Sequence, residues 1–138
     1  NDGKNLFFYV RTAAPITPRT DKNWMRLFIR TVGNDGPDWE GFRFMANRKP
    51  AGDTQTSLEV CEGGWNWQTK ETVDYRVEGK EMVVRIPLAS LGIGNANDFT
   101  VDFKWIDNAA GSGDIQECLS DGDAAPDGRF RYRYRFKR

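Results

Sequence analysis

Apolar and polar residues alternate with a period of two along most of this chain. In NLFFYVRT, Leu6, Phe8 and Val10 share one parity; in WMRLFIRT, Met25, Leu27 and Ile29 oppose Trp24, Arg26, Phe28 and Arg30. GFRFMANR sets Phe42, Phe44 and Ala46 against Arg43, Met45 and Asn47, and VDYRVEG sets Val73, Tyr75 and Val77 against Asp74 and Arg76. KEMVVRIPL aligns Met82, Val84 and Ile86, and DFTVDFKWID aligns Phe99, Val101, Phe103 and Trp105. The chain ends in RFRYRYRFKR, with Arg129, Arg131, Arg133, Arg135 and Lys137 on one parity and Phe130, Tyr132, Tyr134 and Phe136 on the other. Successive side chains of a strand point to opposite faces, so each segment presents one apolar face; a helix would scatter both sets around its circumference.

Between these runs lie turn-forming clusters such as APITPRTDKN, GNDGPD, NRKPAGDT, EGGWN, GIGNAND and SDGDAAPDG. Glycine supplies positive φ, proline fixes its own, and Asn and Asp close turns through their side chains. No helix of three turns fits this spacing, and PLASLG has room for one turn at most. Seven or eight short strands predict an all-β protein, an antiparallel β-sandwich.

At 138 residues the chain is the size of one domain, 1–138, with no internal repeat or linker. No apolar run approaches the roughly 20 residues that cross a bilayer as a helix. The chain opens at Asn1 without the basic start and cleavage site of a secretory signal, which reads as a piece of a longer protein. Formal charge is zero, yet residues 129–138 hold six of the 20 cationic side chains and no acid. The acids Asp98, Asp102, Asp107, Asp114, Glu117, Asp121, Asp123 and Asp127 crowd the segment just upstream against the single cation Lys104. Mutual neutralisation inside the fold is the expectation, which argues against a nucleic-acid-binding tail, since that needs an unopposed basic footprint.

There is no histidine, so Ser-His and Cys-His nucleophile activation is excluded. Cys61 and Cys118 have no metal-ligand spacing; a disulfide and two unpaired thiols are equally open. A pair of carboxylates could serve a glycosidase, but no acid sits in a motif that singles it out. Sugar recognition asks for less: a flat apolar face for the C–H side of a pyranose and planar polar groups for its hydroxyls. Trp39, Trp65 and Trp67 lie in or beside turns, with Trp65 and Trp67 on one parity as a possible platform, although each could equally plug the end of a core. Trp105 continues the inward register, while Asp107 and Asn108 close that strand, as a binding pair or an Asx turn. Arg26, Arg30 and Arg43 repeat the design of the last strand and predict an outer guanidinium face, laddered with acids or open to an acidic glycan such as a uronate-bearing chain. Asp121, Asp123 and Asp127 in DGDAAPDG are candidate ligands for a structural calcium, with Asp35, Asp38 and Glu40 a second candidate set.

The order NLFFYVRT, WMRLFIRT, GNDGPDWEGFRFMANR, YRVEGKEMVVRIPLASLG, FTVDFKWIDNA and GDAAPDGRFRYRY resembles the family 9 carbohydrate-binding modules, within the wider DOMON-like sandwich superfamily, over nearly the whole chain. The resemblance implies a non-catalytic sugar-binding sandwich with stacking tryptophans, sometimes with structural calcium. It assigns binding roles to Arg43 and Trp24, and it departs at the loop before the last strand, where SDGDAAPDGRF holds no tryptophan. The expectation is a binding module that is not an enzyme, extracellular, on the cell surface or periplasmic, attached to a glycan-active catalytic domain. It would dock a glycan through exposed Trp24, Trp39, Trp65 and Trp67, with Arg43, Asn47, Asp107 and Asn108 supplying hydrogen bonds. The alternative is a structural or interaction sandwich that packs on a catalytic domain and binds no sugar.

Overall fold

The computed structural model describes residues 1–21, 23–120 and 122–137. Nine strands lie among them: β1 (Asn5–Arg11), β2 (Arg26–Thr31), β3 (Phe44–Pro50), β4 (Gln55–Gly63), β5 (Asn66–Glu78), β6 (Glu81–Pro87), β7 (Asp98–Asp107), β8 (Asp123–Ala125) and β9 (Tyr132–Lys137). One helical turn, α1 (Glu117–Ser120), falls between β7 and β8. Every strand pairing is antiparallel. The order across the sheet is β1-β6-β5-β4-β3-β2-β7, and the far edge of β7 is shared between β8 at its C-terminal end and β9 along the rest. The sheet curls until its two margins meet. Phe8 of β1 packs edge-on against Phe103 of β7 at 5.3 Å between centroids, and Asn1 Nδ2 donates to the Tyr134 hydroxyl of β9 at 2.7 Å.

The predicted inward parity fills the concave side. Leu6 and Phe8, Leu27 and Ile29, Phe44 and Ala46, Val73 and Tyr75, Met82, Val84 and Ile86, and Val101 and Trp105 form one buried cluster. Burying each of the larger aliphatic or aromatic side chains is worth roughly 1.5–3 kcal/mol, so this register is strongly specified. Its aromatic extension is the last strand: Phe136 stacks on Phe99 at 5.1 Å and Tyr132 tilts against Phe103 at 5.4 Å.

The convex side carries a second core. Phe28, Met45, Cys61, Trp67 and Ile106 project outward and are covered by Trp39 and Phe42 from one loop and by Ala109 and Cys118 from another. Both cysteines are buried here as free thiols, and burial pushes both thiols up. Because β2 and much of β3 and β4 are covered on both faces, buried polar groups there need partners. Glu59, fully buried, receives Arg48 Nε and Nη2 at 2.7 and 2.6 Å.

Two departures from simple alternation have a backbone cause. Asn23 and Met25 adopt φ of 63° and 32°, which breaks the register ahead of β2 and brings Trp24 and Met25 together into the main core. Phe42 pairs with Trp39 in an isolated bridge before β3 begins, so it packs on the convex side while Phe44 and Ala46 pack on the concave one.

Candidate functional site

A cavity of about 410 Å³ lies at the end of the curl where β1 and β7 finish and β8 begins. Its apolar wall is Val10, Ile16, Met25, Trp105 and Ile106, and its polar rim is Arg11, Thr12, Asp107, Asn108 and Asp123. The outer lip is the strap Thr12–Thr17, clipped to the β5–β6 turn. Thr12 and Ile16 N–H donate to the carbonyls of Lys80 and Gly79 at 2.9 Å each, and Lys80 Nζ donates back to the Ala13 carbonyl at 2.7 Å. Trp24 pins the end of the strap through its indole N–H to the Thr17 carbonyl at 2.9 Å.

Among the described residues, the side chains of Arg11 and Asp123 make no hydrogen bond or ion pair, so both can turn toward a ligand. Trp105, 3% exposed, leaves its indole N–H without an acceptor, an unusual state for a buried donor. Asp107 and Asp123 are direct cross-strand partners, which puts two carboxylates on one side of the mouth. The site thus offers an apolar wall, two carboxylates, a guanidinium and an amide.

The structure brings only Asp107 and Asn108 of the expected sugar ligands to this cavity. Asp107 is partly committed, its Oδ1 accepting the backbone N–H groups of Met25 and Asn108 at 2.9 and 3.0 Å. Asn47, 1% exposed, spends its amide N–H on the Met25 carbonyl at 2.8 Å. Together they clamp the strained peptide ahead of β2, so Asn47 is a structural residue. Arg43 braces the loop before it, Nη1 donating to the Asn34 side chain at 2.8 Å and to the Asp35 carbonyl at 2.6 Å.

The expectation of exposed tryptophans is corrected for Trp24, Trp39 and Trp67, all of which are buried. Trp24 packs edge-on against Tyr75, and Trp39 donates its indole N–H to the Gly113 carbonyl at 2.9 Å. Trp65 is half-buried in the β4–β5 turn, and its ring stands at 85° to that of Trp67, so the two make a corner of the second core and not a flat platform. The shared parity of Trp65 and Trp67 could not foretell this, because a loop 50 residues away in sequence covers that face.

Asp121 lies outside the described residues. Asp123 is exposed, and Asp127 Oδ1 accepts the Gly128 N–H at 2.7 Å. Among the described residues no three His, Cys, Asp or Glu side chains converge as a metal site, so Asp123 and Asp127 do not by themselves make the six to eight oxygens calcium takes.

The guanidinium face is partly laddered. Arg133 grips Asp102, its direct cross-strand partner, through Nε and Nη2 at 2.7 and 2.8 Å. Arg26 is buried, capping the Ala109 and Ala110 carbonyls at 3.2 Å each. Lys104, 3% exposed, aims its ammonium at the Pro126, Gly128 and Phe130 carbonyls, and burial lowers its pKa. Comparison with family models, curated proteins and solved structures finds no match to this chain.

Proposed function

We propose that the protein is a non-catalytic carbohydrate-binding module and that the sugar sits in the cavity at the end of the curl. The observation that carries this reading is the pairing of an apolar wall containing Trp105 with uncommitted polar groups, Arg11 and Asp123, at one mouth. A pyranose has the matching character: C–H faces for the wall and hydroxyls for the carboxylates and guanidinium. The curled antiparallel sheet is compatible with the sandwich that family 9 modules adopt. On this reading the chain is a secreted or surface-displayed module that targets an attached glycan-active enzyme.

The test is a titration with neutral and uronate-containing oligosaccharides, with and without calcium, followed by calorimetry and tryptophan fluorescence. Saturable binding that weakens in Asp123→Ala and Arg11→Ala, with an unchanged melting temperature, is the expected result. A response that needs calcium would give the 121–127 loop its metal. Silence across the panel by an intact fold would defeat the reading.

A second reading, a sandwich that packs on a neighbouring domain, draws on the exposed aromatics at the sheet margins. Phe7, Tyr9, Tyr132 and, at 76% exposure, Phe130 stand open to solvent on or beside the edge strands. Such a margin is the place where another domain would cover unpaired strand edges.

A further inference from the structure

We infer that the convex face of β7 and β9 holds a second ligand site, in which Arg129 and Arg131, above Lys104, bind the oxyanion group of an acidic saccharide, a uronate carboxylate or a sulfate ester. The saccharide part of this inference rests on the carbohydrate reading; the oxyanion part stands on geometry alone. A cavity of about 240 Å³ opens between the 40–42 turn and the 128–131 segment, lined by Phe42, Lys104, Ile115, Arg129, Arg131 and one acid, Glu40. Three cations against one carboxylate already favour an anion. Behind them the imbalance deepens: Arg30 and Arg133 are the cross-strand neighbours of Asp102 on its two sides, and Arg131 also acts on that carboxylate. Three guanidinium groups, Arg30, Arg131 and Arg133, therefore act on a single buried acid, with Asp38 and Glu40 further out and Asp127 near Lys104.

The donors are divided in a way that suits an incoming anion. Lys104 has committed all three ammonium hydrogens to backbone carbonyls, so it contributes fixed positive charge and holds the 126–130 segment in place. Arg131 is pre-positioned: its guanidinium lies 4.2 Å over the Phe42 ring and Nη2 donates to the Glu40 carbonyl, leaving Nε and Nη1 without partners among the described residues. Gly41 makes room for it, since a Cβ there would sit 3.0 Å from both terminal nitrogens. Arg129 is exposed and without a partner among the described residues. Two guanidinium groups with free, planar donors, one of them rigid, match the paired oxygens of a carboxylate or sulfate.

The test follows backbone amide resonances during a sulfate-for-chloride exchange at constant ionic strength, then with an oligogalacturonate. Saturable shifts centred on Gly128, Arg129 and Arg131 are expected, and Arg129→Glu should weaken sulfate binding by about tenfold or more, the scale of losing a charge-assisted contact and adding a like charge. Arg129 is chosen because Arg131 also braces the 40–42 turn, so its loss could disturb the fold; Arg129→Lys should retain part of the affinity. Shifts that grow linearly without saturating, or binding unchanged in Arg129→Glu, would overturn the site. Sulfate binding without any oligogalacturonate binding would overturn the saccharide assignment. A neutral oligosaccharide titrated in parallel reports the end cavity separately, so failure there is distinguishable from failure here.

Discussion

Asp102→Asn removes the one buried negative charge from the basic row on β2, β7 and β9. Asp102 is 4% exposed and its carboxylate receives both arms of Arg133, whose own side chain is 50% exposed. Breaking an ion pair with both partners buried costs about 3–5 kcal/mol. Water can re-solvate the half-exposed Arg133, which reduces the expected loss to about 2 kcal/mol. At roughly 2–4 °C per kcal/mol for a domain of this size, the variant should melt about 4–8 °C lower at neutral pH. The pH dependence supplies the sharper check. The Arg133 hydrogen bonds hold the Asp102 carboxyl below the usual carboxylate range, against the opposing effect of burial. Stability from a lowered carboxyl pKa is fully present above the unfolded value, about 4, and is lost as pH falls through the folded one. The gap between wild type and variant should therefore be widest at pH 6–7, roughly, and close on acidification below about 4. Circular-dichroism melts at several pH values measure it. A shift under about 1 °C at neutral pH, or a gap that persists into strong acid, would refute the assignment. Asp102→Asn should also bind sulfate more tightly, because it leaves the surrounding cations unopposed.

Lys104→Met should cost about 2–4 kcal/mol in urea unfolding, because three carbonyls lose a charged donor. Burial depresses the Lys104 pKa, so wild-type stability should gain from raising the pH between that folded value and the unfolded one near 10.4, a gain that the Met variant lacks. At Asn47, φ of 69° and the bond to the Met25 carbonyl separate two costs. Asn47→Gly should lose only the bond and Asn47→Ala should add left-handed strain of about 1–2 kcal/mol, read as the difference between their chemical denaturation midpoints. Trp67→Ala should cost about 3–5 kcal/mol by opening the second core, so thermal melts should show a destabilised protein in place of a clean binding defect. Both thiols should resist a thiol reagent in the native protein and react on unfolding; fast native labelling of either would contradict their burial in the second core.

The inward parity of six runs was legible because one face of each strand meets a continuous core, and a slip of one residue would turn that face to water. β4, QTSLEVCEG, was not legible. Its residues Thr56 to Glu59 are all buried, so no alternation survives in the sequence. β8 was missed for the opposite reason: three residues in an acidic, glycine-rich loop carry no pattern at all. At the candidate site, Asp107 and Asn108 were found because a strand end presents polar groups to a loop. Arg11 and the Thr12–Thr17 strap gave no such signal, since APITP reads as an ordinary turn until the β5–β6 hairpin is seen to hold it.

The guanidinium face shows why parity gives direction and not role. Arg26, Arg43 and Arg133 share the outward parity that the sequence assigned to them, yet each is consumed by a local debt of the fold. Arg26 caps carbonyls of the loop after β7, Arg43 braces the loop before β3, and Arg133 neutralises Asp102. The loops that cover the second core account for Arg26 and Arg43 by bringing backbone carbonyls over the convex face, where side-chain donors reach them. An arginine beyond that cover, Arg129 ahead of β9, has no such duty among the described residues. A cationic group that neither repays a buried acid nor caps a carbonyl adds only repulsion to the folded state. The ligand that would relieve it is an anion, and the place where such groups gather around a cavity is the one above Lys104.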